Sequence, residues 1–407
     1  MPTDPLSSVG GCLGIIQAGG AGGRMSVLTD HRAKPTLPFL GVYQLIDLPL
    51  SNLAHSQVSD IWLSVQYHGS SLEEQVANGR PWDLDRTRGG LRLLMPEEGT
   101  GEPDEEGFAQ GNADLLYRIR RRILDAAPEA VIVLSADHVY RFDFRDALRT
   151  HREADAECTV VTTQVPIEEA GDHATILTDG AGRVVATAYK PDRPDTATVA
   201  TEIFVYRPAA LVEVLEELRG ELAPEDDADT GLGDFGEHLL PRLVSRGGVV
   251  AHPLEGYWRD LGTPEKYLRA HRDALTDDLG IFDERRWPIL TRQPQRVPAR
   301  VLAGAELVDS VVSPGSRVAG RVVRSVLGPG VVVEEGACVV DSVIFADTVV
   351  GAGAVLTHAV VDDHCLLGRD SRVGSDDGDP TLVGRGSTVG AGTRVDPGSH
   401  LAPHSSV

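Results

Sequence analysis

Aliphatic residues recur at intervals of six through the last part of this chain: Leu327, Val333 and Val339; Ile344, Val350 and Leu356; Val361 and Leu367; then Val383, Val389, Val395 and Leu401. Glycine and small residues fill the positions between, as in VGRGST, VGAGTR and VDPGSH. A period of six is neither the 3.6 of a helix nor the 2 of a half-buried strand. It is the repeat of a parallel β-helix, in which each flat face of a coil sends one aliphatic side chain inward. Two steps are shorter, Val339 to Ile344 and Leu356 to Val361, and read as register slips at turns.

Upstream the pattern changes. LGIIQA, DIWLSVQY, AVIVLSAD, ECTVVTTQVP and ATEIFVY are short apolar runs rich in branched residues and read as buried strands. ADLLYRIRRRILDAA has helical spacing and predicts one helix with its basic residues in solvent. Strands alternating with helices imply a mixed, mostly parallel sheet covered on both faces. EEGTGEPDEEG and ELAPEDDADTGLGD predict loops, the first of them mobile, and the proline-containing GIFDERRWPILTRQPQRVPAR predicts a connector. A chain of 407 residues exceeds one core. The expected division is an α/β domain over 1–278, a connector over 279–300 and a β-helix over 301–407.

The formal net charge of −23 argues against nucleic acid or an anionic membrane as partner. No run approaches the eighteen apolar residues of a membrane span, and MPTDPLSSVGG lacks the features of a signal peptide. Cys12, Cys158, Cys338 and Cys365 fit no metal spacing, so reduced thiols and a cytoplasmic location are expected.

Positive charge must then be concentrated locally for a small anionic substrate. QAGGAGGRM, Gln17 to Met25, follows the first strand. Glycines there would let backbone N–H groups approach phosphate oxygens, and Arg24 with Lys34 of RAKP would add two cations. Taken alone, such a loop also reads as a tight structural turn. LSADHVY puts Asp137 at the end of an apolar strand, and YWRDLGT puts Asp260 in a loop-like stretch before a helix. Two carboxylates facing a triphosphate would hold Mg²⁺, a hard cation.

These motifs, with IDLPLSN, QYH, GNAD, VPIEEA, DFGEHLLP and YWRDLGTPEKY, resemble those of the bacterial glucose-1-phosphate adenylyltransferases, and more broadly of the sugar-1-phosphate nucleotidyltransferases. The resemblance spans nearly the whole chain. It implies a Rossmann-like catalytic domain with a left-handed β-helix, a homo-oligomer (dimer or tetramer), and the reaction of an NTP, ATP or GTP, with a sugar 1-phosphate to give an NDP-sugar and pyrophosphate. It also implies roles: Gly19, Gly20, Gly22, Arg24 and Lys34 on the triphosphate, Gln66 and Gly111 on the base, Asp137 and Asp260 on Mg²⁺, and Lys190 on the sugar phosphate. Present together, Arg24, Lys34, Asp137 and Asp260 favour an active enzyme over a regulatory subunit. His358 and His364 lie in the repeats without the extended loop of hexapeptide acyltransferases, and read as corner or surface residues.

The chain also departs from the family around its sugar pocket. Relatives acting on glucose have Glu-Lys-Pro where it has Tyr189-Lys190-Pro191, and Ser-Met-Gly where it has Ala200-Thr201-Glu202. They have Phe-Gly at His173-Ala174, and Tyr-Arg-Gly-Thr-Ala-Asp at Ala109 to Asp114. Tyr189, Ala200, Glu202 and Asp114 are therefore expected beside the substrate. A phosphorylated cyclitol of the valienol 1-phosphate type, from antibiotic biosynthesis, is the expected acceptor, with glucose 1-phosphate as the alternative. The family's Gly-Lys-Tyr-Arg activator stretch is Gly41-Val42-Tyr43-Gln44 here, which predicts little activation by sugar bisphosphates.

Overall fold

The computed structural model describes residues 11–20, 22–96, 107–222, 230–276 and 279–407. Most of the first acidic loop and half of the second fall outside these residues.

The strand Cys12–Ala18 lies at the middle of a nine-stranded sheet. It runs parallel to Asp60–Val65 on one side and to Ala130–Ser135 on the other. Beyond Ala130–Ser135 the sheet turns antiparallel, through the long strand Thr198–Tyr206. Each run named in the sequence forms a strand. Side-chain alternation sends Ile16, Leu63 and Ile132 to one face and Ile15, Trp62 and Val131 to the other, each into its own buried cluster. The helices Asp47–His55 and Phe144–Glu153 cover the first face; Pro208–Leu222 and Leu239–Ser245 cover the second. Four strands of this sheet went unread: Gly90–Leu94, Ala174–Thr178, Val184–Tyr189 and Val249–Pro253.

The arginine-rich helix is two helices, Asn112–Arg118 and Arg120–Ala126, broken at Ile119. Its basic residues do not all face solvent. Arg118 and Arg120 are buried, Arg118 against the Asp114 carboxylate at 3.1 Å and Arg120 over the Tyr117 ring at 3.8 Å. Pairing and stacking make that burial tolerable.

The C-terminal region is a coil of three six-stranded parallel sheets. Leu327, Ile344 and Val361 stack on one another, and the other repeat aliphatics join them in a single interior cluster. The shorter steps are no slips. They fall at the same corner of successive coils, where Asp309, Arg324, Asp341 and His358 each adopt positive φ. His364 turns a second corner with φ 57°.

The two regions share a third buried cluster. Met25 and Leu28, from the segment after the glycine loop, pack with Tyr267 and Leu268 against Val326, Val343, Phe345, Val360 and Leu382 of the coil. Residues of the expected connector join this packing: Ile281 and Ile289 are buried, Leu290 N donates to Ser51 Oγ, and Trp287 Nε1 donates to Asn52 Oδ1.

Candidate active site

A cleft of about 300 Å³ opens at the C-terminal ends of the central parallel strands. That is where open α/β sheets bind ligands, because adjacent loops diverge there. Strand Cys12–Ala18 delivers Gly19 and Gly20 to its rim. A Cβ on Gly19 would lie 2.4 Å from Gln66 Nε2, so glycine lets Gln66 pack across the loop. A Cβ on Gly20 would meet nothing within 4 Å; its backbone borders open space.

Gly22 does a different job from the one expected. It adopts φ 72°, does not line the cleft, and accepts hydrogen bonds from Met25 N and Thr29 Oγ1. It turns the chain into the 3-10 segment Gly23–Thr29, which brings Arg24 to the cleft. Arg24 is exposed and makes no salt bridge among the described residues.

Lys34 begins the short 3-10 turn Lys34–Thr36 and is buried, its Nζ 2.5 Å from Asp137 Oδ2. Ser135 Oγ donates to Asp137 Oδ1 at 2.5 Å. Burial would raise the Asp137 carboxyl, but Lys34, His138 and Ser135 outweigh it and hold the group below its ordinary value. Asp137 is therefore an anion across the working pH range.

Asp260 is on a strand rather than a loop. Trp258–Asp260 pairs antiparallel with His138–Tyr140, and this register sets Asp260 opposite His138. His138 Nε2 lies 3.5 Å from Asp137 Oδ1 and 3.7 Å from Asp260 Oδ1. The ligand atoms of all three residues fall within 4.8 Å of one another. His138 Nδ1 is 3.1 Å from the Thr201 carbonyl, which can only accept, so Nδ1 carries a proton. In the neutral form of the ring, Nε2 presents its lone pair toward two carboxylates, an arrangement that a divalent cation between them would satisfy. Lys266 Nζ stands 3.7 Å from Asp260 Oδ2 and 2.7 Å from Asp172 Oδ2.

Across the cleft are Tyr189, Lys190 and Glu202. Lys190 Nζ sits 4.6 Å from the Tyr189 ring centroid, and Lys190 N donates to His173 O. Tyr189 OH donates to Asp234 Oδ2 at 2.9 Å, and Asp234 Oδ1 accepts from Asn112 N at 3.2 Å. Asn112 in turn accepts from Gln17 Nε2 and from Phe235 N. Gly111 lies against the Gly233 carbonyl, where a Cβ would come within 2.3 Å.

Two expected substrate residues are elsewhere. Asp114 is fully buried away from the cleft, where it accepts from Arg118 Nε, Thr230 Oγ1 and Gln110 N. It fixes the loop carrying Gly111 and touches no open space. Ala200 faces the sheet's second core. His138 and Asp234 were passed over in the sequence although ADHVY and DFGEHLLP both drew notice; only pairing across distant segments gives them their place.

With this geometry in view, the comparisons decide the family. The Nucleotidyl transferase family matches residues 13–277, and the GlmU-like C-terminal hexapeptide family matches residues 297–382. The chain belongs to the nucleotidyl transferase family. It is similar to the glucose-1-phosphate adenylyltransferase of Bacillus mycoides (strain KBAB4), 34% identical over 335 residues, or 82% of this chain and 86% of that one. The proteins of that name from Bacillus anthracis, at 34%, and Bacillus cereus (strain ATCC 14579), at 33%, match over the same shares. The chain is thus a nucleotidyltransferase, and the relatives it matches carry the name of an enzyme of the sugar-1-phosphate type. Its hexapeptide region is the parallel β-helix that the repeat predicts, left-handed as the family resemblance implies. This family generally uses a divalent metal, and the Asp137–His138–Asp260 cluster is a fitting place for one. No helix among the described residues is long and apolar enough to cross a membrane.

Proposed function

We propose that the enzyme transfers the adenylyl group of ATP to glucose 1-phosphate, giving ADP-glucose and pyrophosphate. The observation that carries this reading is one cleft with bare backbone, Arg24 and Lys34 on one side, Asp137 on its lining with Asp260 clustered beside it, and Lys190 opposite. The name shared by its relatives supports the acceptor.

In this reading Gly19, Gly20, Arg24 and Lys34 hold the triphosphate, Gln66 and Gly111 face the base, and Lys190 grips the acceptor phosphate. An acceptor phosphate oxygen, already ionised, attacks the α-phosphorus in line, and the bond to pyrophosphate breaks. No protein nucleophile or general base is needed; positioning and charge neutralisation do the work. Arg24 and Lys34 stabilise the charge that collects on the departing pyrophosphate. Asp137 and Asp260 would hold Mg²⁺, which neutralises triphosphate charge. We place the catalytic unit at 1–278 and the assembly-forming β-helix at 301–407, in a cytoplasmic dimer or tetramer that light scattering would distinguish.

A phosphorylated cyclitol such as valienol 1-phosphate is the second reading. It is favoured by Tyr189 and Glu202, which give this cleft an unusual acceptor wall. The test is a matrix of ATP and GTP against glucose 1-phosphate and valienol 1-phosphate, read by pyrophosphate release. Robust turnover of ATP with glucose 1-phosphate supports the first reading. Turnover confined to the cyclitol, or to GTP, replaces it.

A further inference from the structure

Glu202 occupies a position that ordinary strand geometry would not give it. Along Thr198–Tyr206, Ala200 pairs with Thr162 and Phe204 with Val160, so four residues advance against two. The bulge is pinned on both sides: Thr201 Oγ1 donates to Val161 O at 2.9 Å, and Thr201 O receives His138 Nδ1. Bulges re-aim side chains beside active sites. This one leaves Ala200 and Ile203 in the cores and turns Glu202 into the cleft. Glu202 holds φ 57°, a left-handed conformation unfavourable for any residue with a Cβ. Lys190, on the same wall of the cleft, has φ 46°. Strain of this kind persists where a side chain is needed in one place.

The Glu202 carboxylate has no hydrogen-bond or ion-pair partner among the described residues. Its titratable neighbours are His138, Asp137, Asp260 and Asp234, three of them acidic. A half-buried carboxylate among acidic neighbours is costly unless a ligand supplies donors. We propose that Glu202 is the specificity-determining residue for the acceptor: its carboxylate accepts hydrogen bonds from ring hydroxyls of a phosphorylated polyol whose phosphate Lys190 holds. The acidic surroundings exclude acceptors bearing a carboxylate. This rests on the acceptor reading above, but not on the acceptor being glucose.

The experiment compares wild type with Glu202→Gln and Glu202→Gly on a panel of hexose 1-phosphates, a cyclitol phosphate, and monodeoxy analogues of whichever is turned over best. For Glu202→Gln, the KM for the acceptor should rise about 10- to 100-fold while the KM for the triphosphate stays within about threefold. At least one deoxy analogue should be about 100-fold poorer with wild type, and that penalty should vanish in the variant. Glu202→Gly should raise the acceptor KM and also raise the melting temperature, because glycine relieves the backbone. An unchanged acceptor KM, or deoxy penalties equal in wild type and variant, would overturn the proposal. So would a Glu202→Gly protein that melts lower with wild-type KM, which would make Glu202 structural. If glucose 1-phosphate is inert but another hydroxylated ring phosphate shows the Glu202 penalty, only the glucose reading falls. If no hydroxylated ring phosphate is turned over, both fall.

Discussion

Replacing Arg32 with methionine should unfasten the β-helix from the catalytic domain, in a manner that depends on pH. Arg32 is 7% exposed, and its Nη2 lies 2.6 Å from Asp362 Oδ1 and 2.7 Å from Asp363 Oδ2. Its guanidinium also stands 5.4 Å from the Phe345 ring centroid. Methionine keeps much of the apolar stem but leaves Asp362, 2% exposed, without its cation. Breaking a buried pair by removing one partner costs about 3–5 kcal/mol, a large share of a stability of about 5–15 kcal/mol. Burial pushes the Asp362 carboxyl up and Arg32 pulls it back, leaving it at about 6. A carboxyl raised in the folded state contributes most below its unfolded value of about 4, and that contribution is lost as pH rises through 6. Without Arg32 the folded value climbs further, so the loss continues above pH 6. Each unit of that climb widens the gap between variant and wild type by about 1.4 kcal/mol at pH 8 relative to pH 5.5. Thermal melts of both proteins at pH 5.5 and 8 read this directly, and Asp362→Asn added to the variant should recover most of the loss at pH 8. A gap that is equal at the two pH values, or below about 1 kcal/mol at pH 8, would refute the reasoning.

Three further outcomes are expected. Gly111→Ala should force the Gly233–Asp234 segment aside, since its Cβ would fall 2.4 Å from Gly233 C and 2.9 Å from Asp234 N; melting should reveal a loss of about 2 kcal/mol or more, with a raised KM for the triphosphate. Asp260→Asn should lower kcat by about 100-fold or more with little change in melting temperature, and titration of the divalent metal should show weakened dependence. Fructose 1,6-bisphosphate should change the rate by less than about twofold in an initial-rate assay, against the several-fold coupling usual for an allosteric effector. Val42 and Gln44 supply no cation to the interdomain cavity, where Arg32 and Arg296 pair with Asp362, Asp363 and Asp347 and only Arg292 and Arg385 add further guanidinium groups.

What could be read ahead of the structure was whatever short-range pattern decides. The six-residue period needs no partner to be recognised, and it placed the interior of every coil from Leu327 to Val395. Gly19, Gly20, Arg24 and Lys34 were legible because one short segment carries all of them. Arg118 and Arg120 misled because helical periodicity shows which way a residue faces only when the helix is unbroken and its partners are known. The break at Ile119 and the Asp114 carboxylate changed both conditions. Ala200 and Glu202 were expected together at the substrate, as two residues of one strand face would be, but the bulge between them leaves only Glu202 at the cleft. Val184–Tyr189 is an edge strand buried only at Val184, so its apolar residues show no alternation of buried and exposed positions that would mark it.

The shared apolar cluster between coil and catalytic domain has a consequence for how such a chain can vary. Contacts run along the coil's length: Val326, Val343, Val360 and Leu382 come from successive turns, while Ser26 Oγ meets His400 Nδ1 at 3.0 Å and His31 meets the His404 ring near the far end. The coil therefore works like a ruler laid beside the glycine loop, with marks that must coincide at both ends. Inserting or deleting one turn within the ruled stretch would move His400 out of reach of Ser26 even though every remaining turn stacked well. Repeat proteins usually lengthen and shorten freely; this one is held to a fixed count by the segment that carries Arg24.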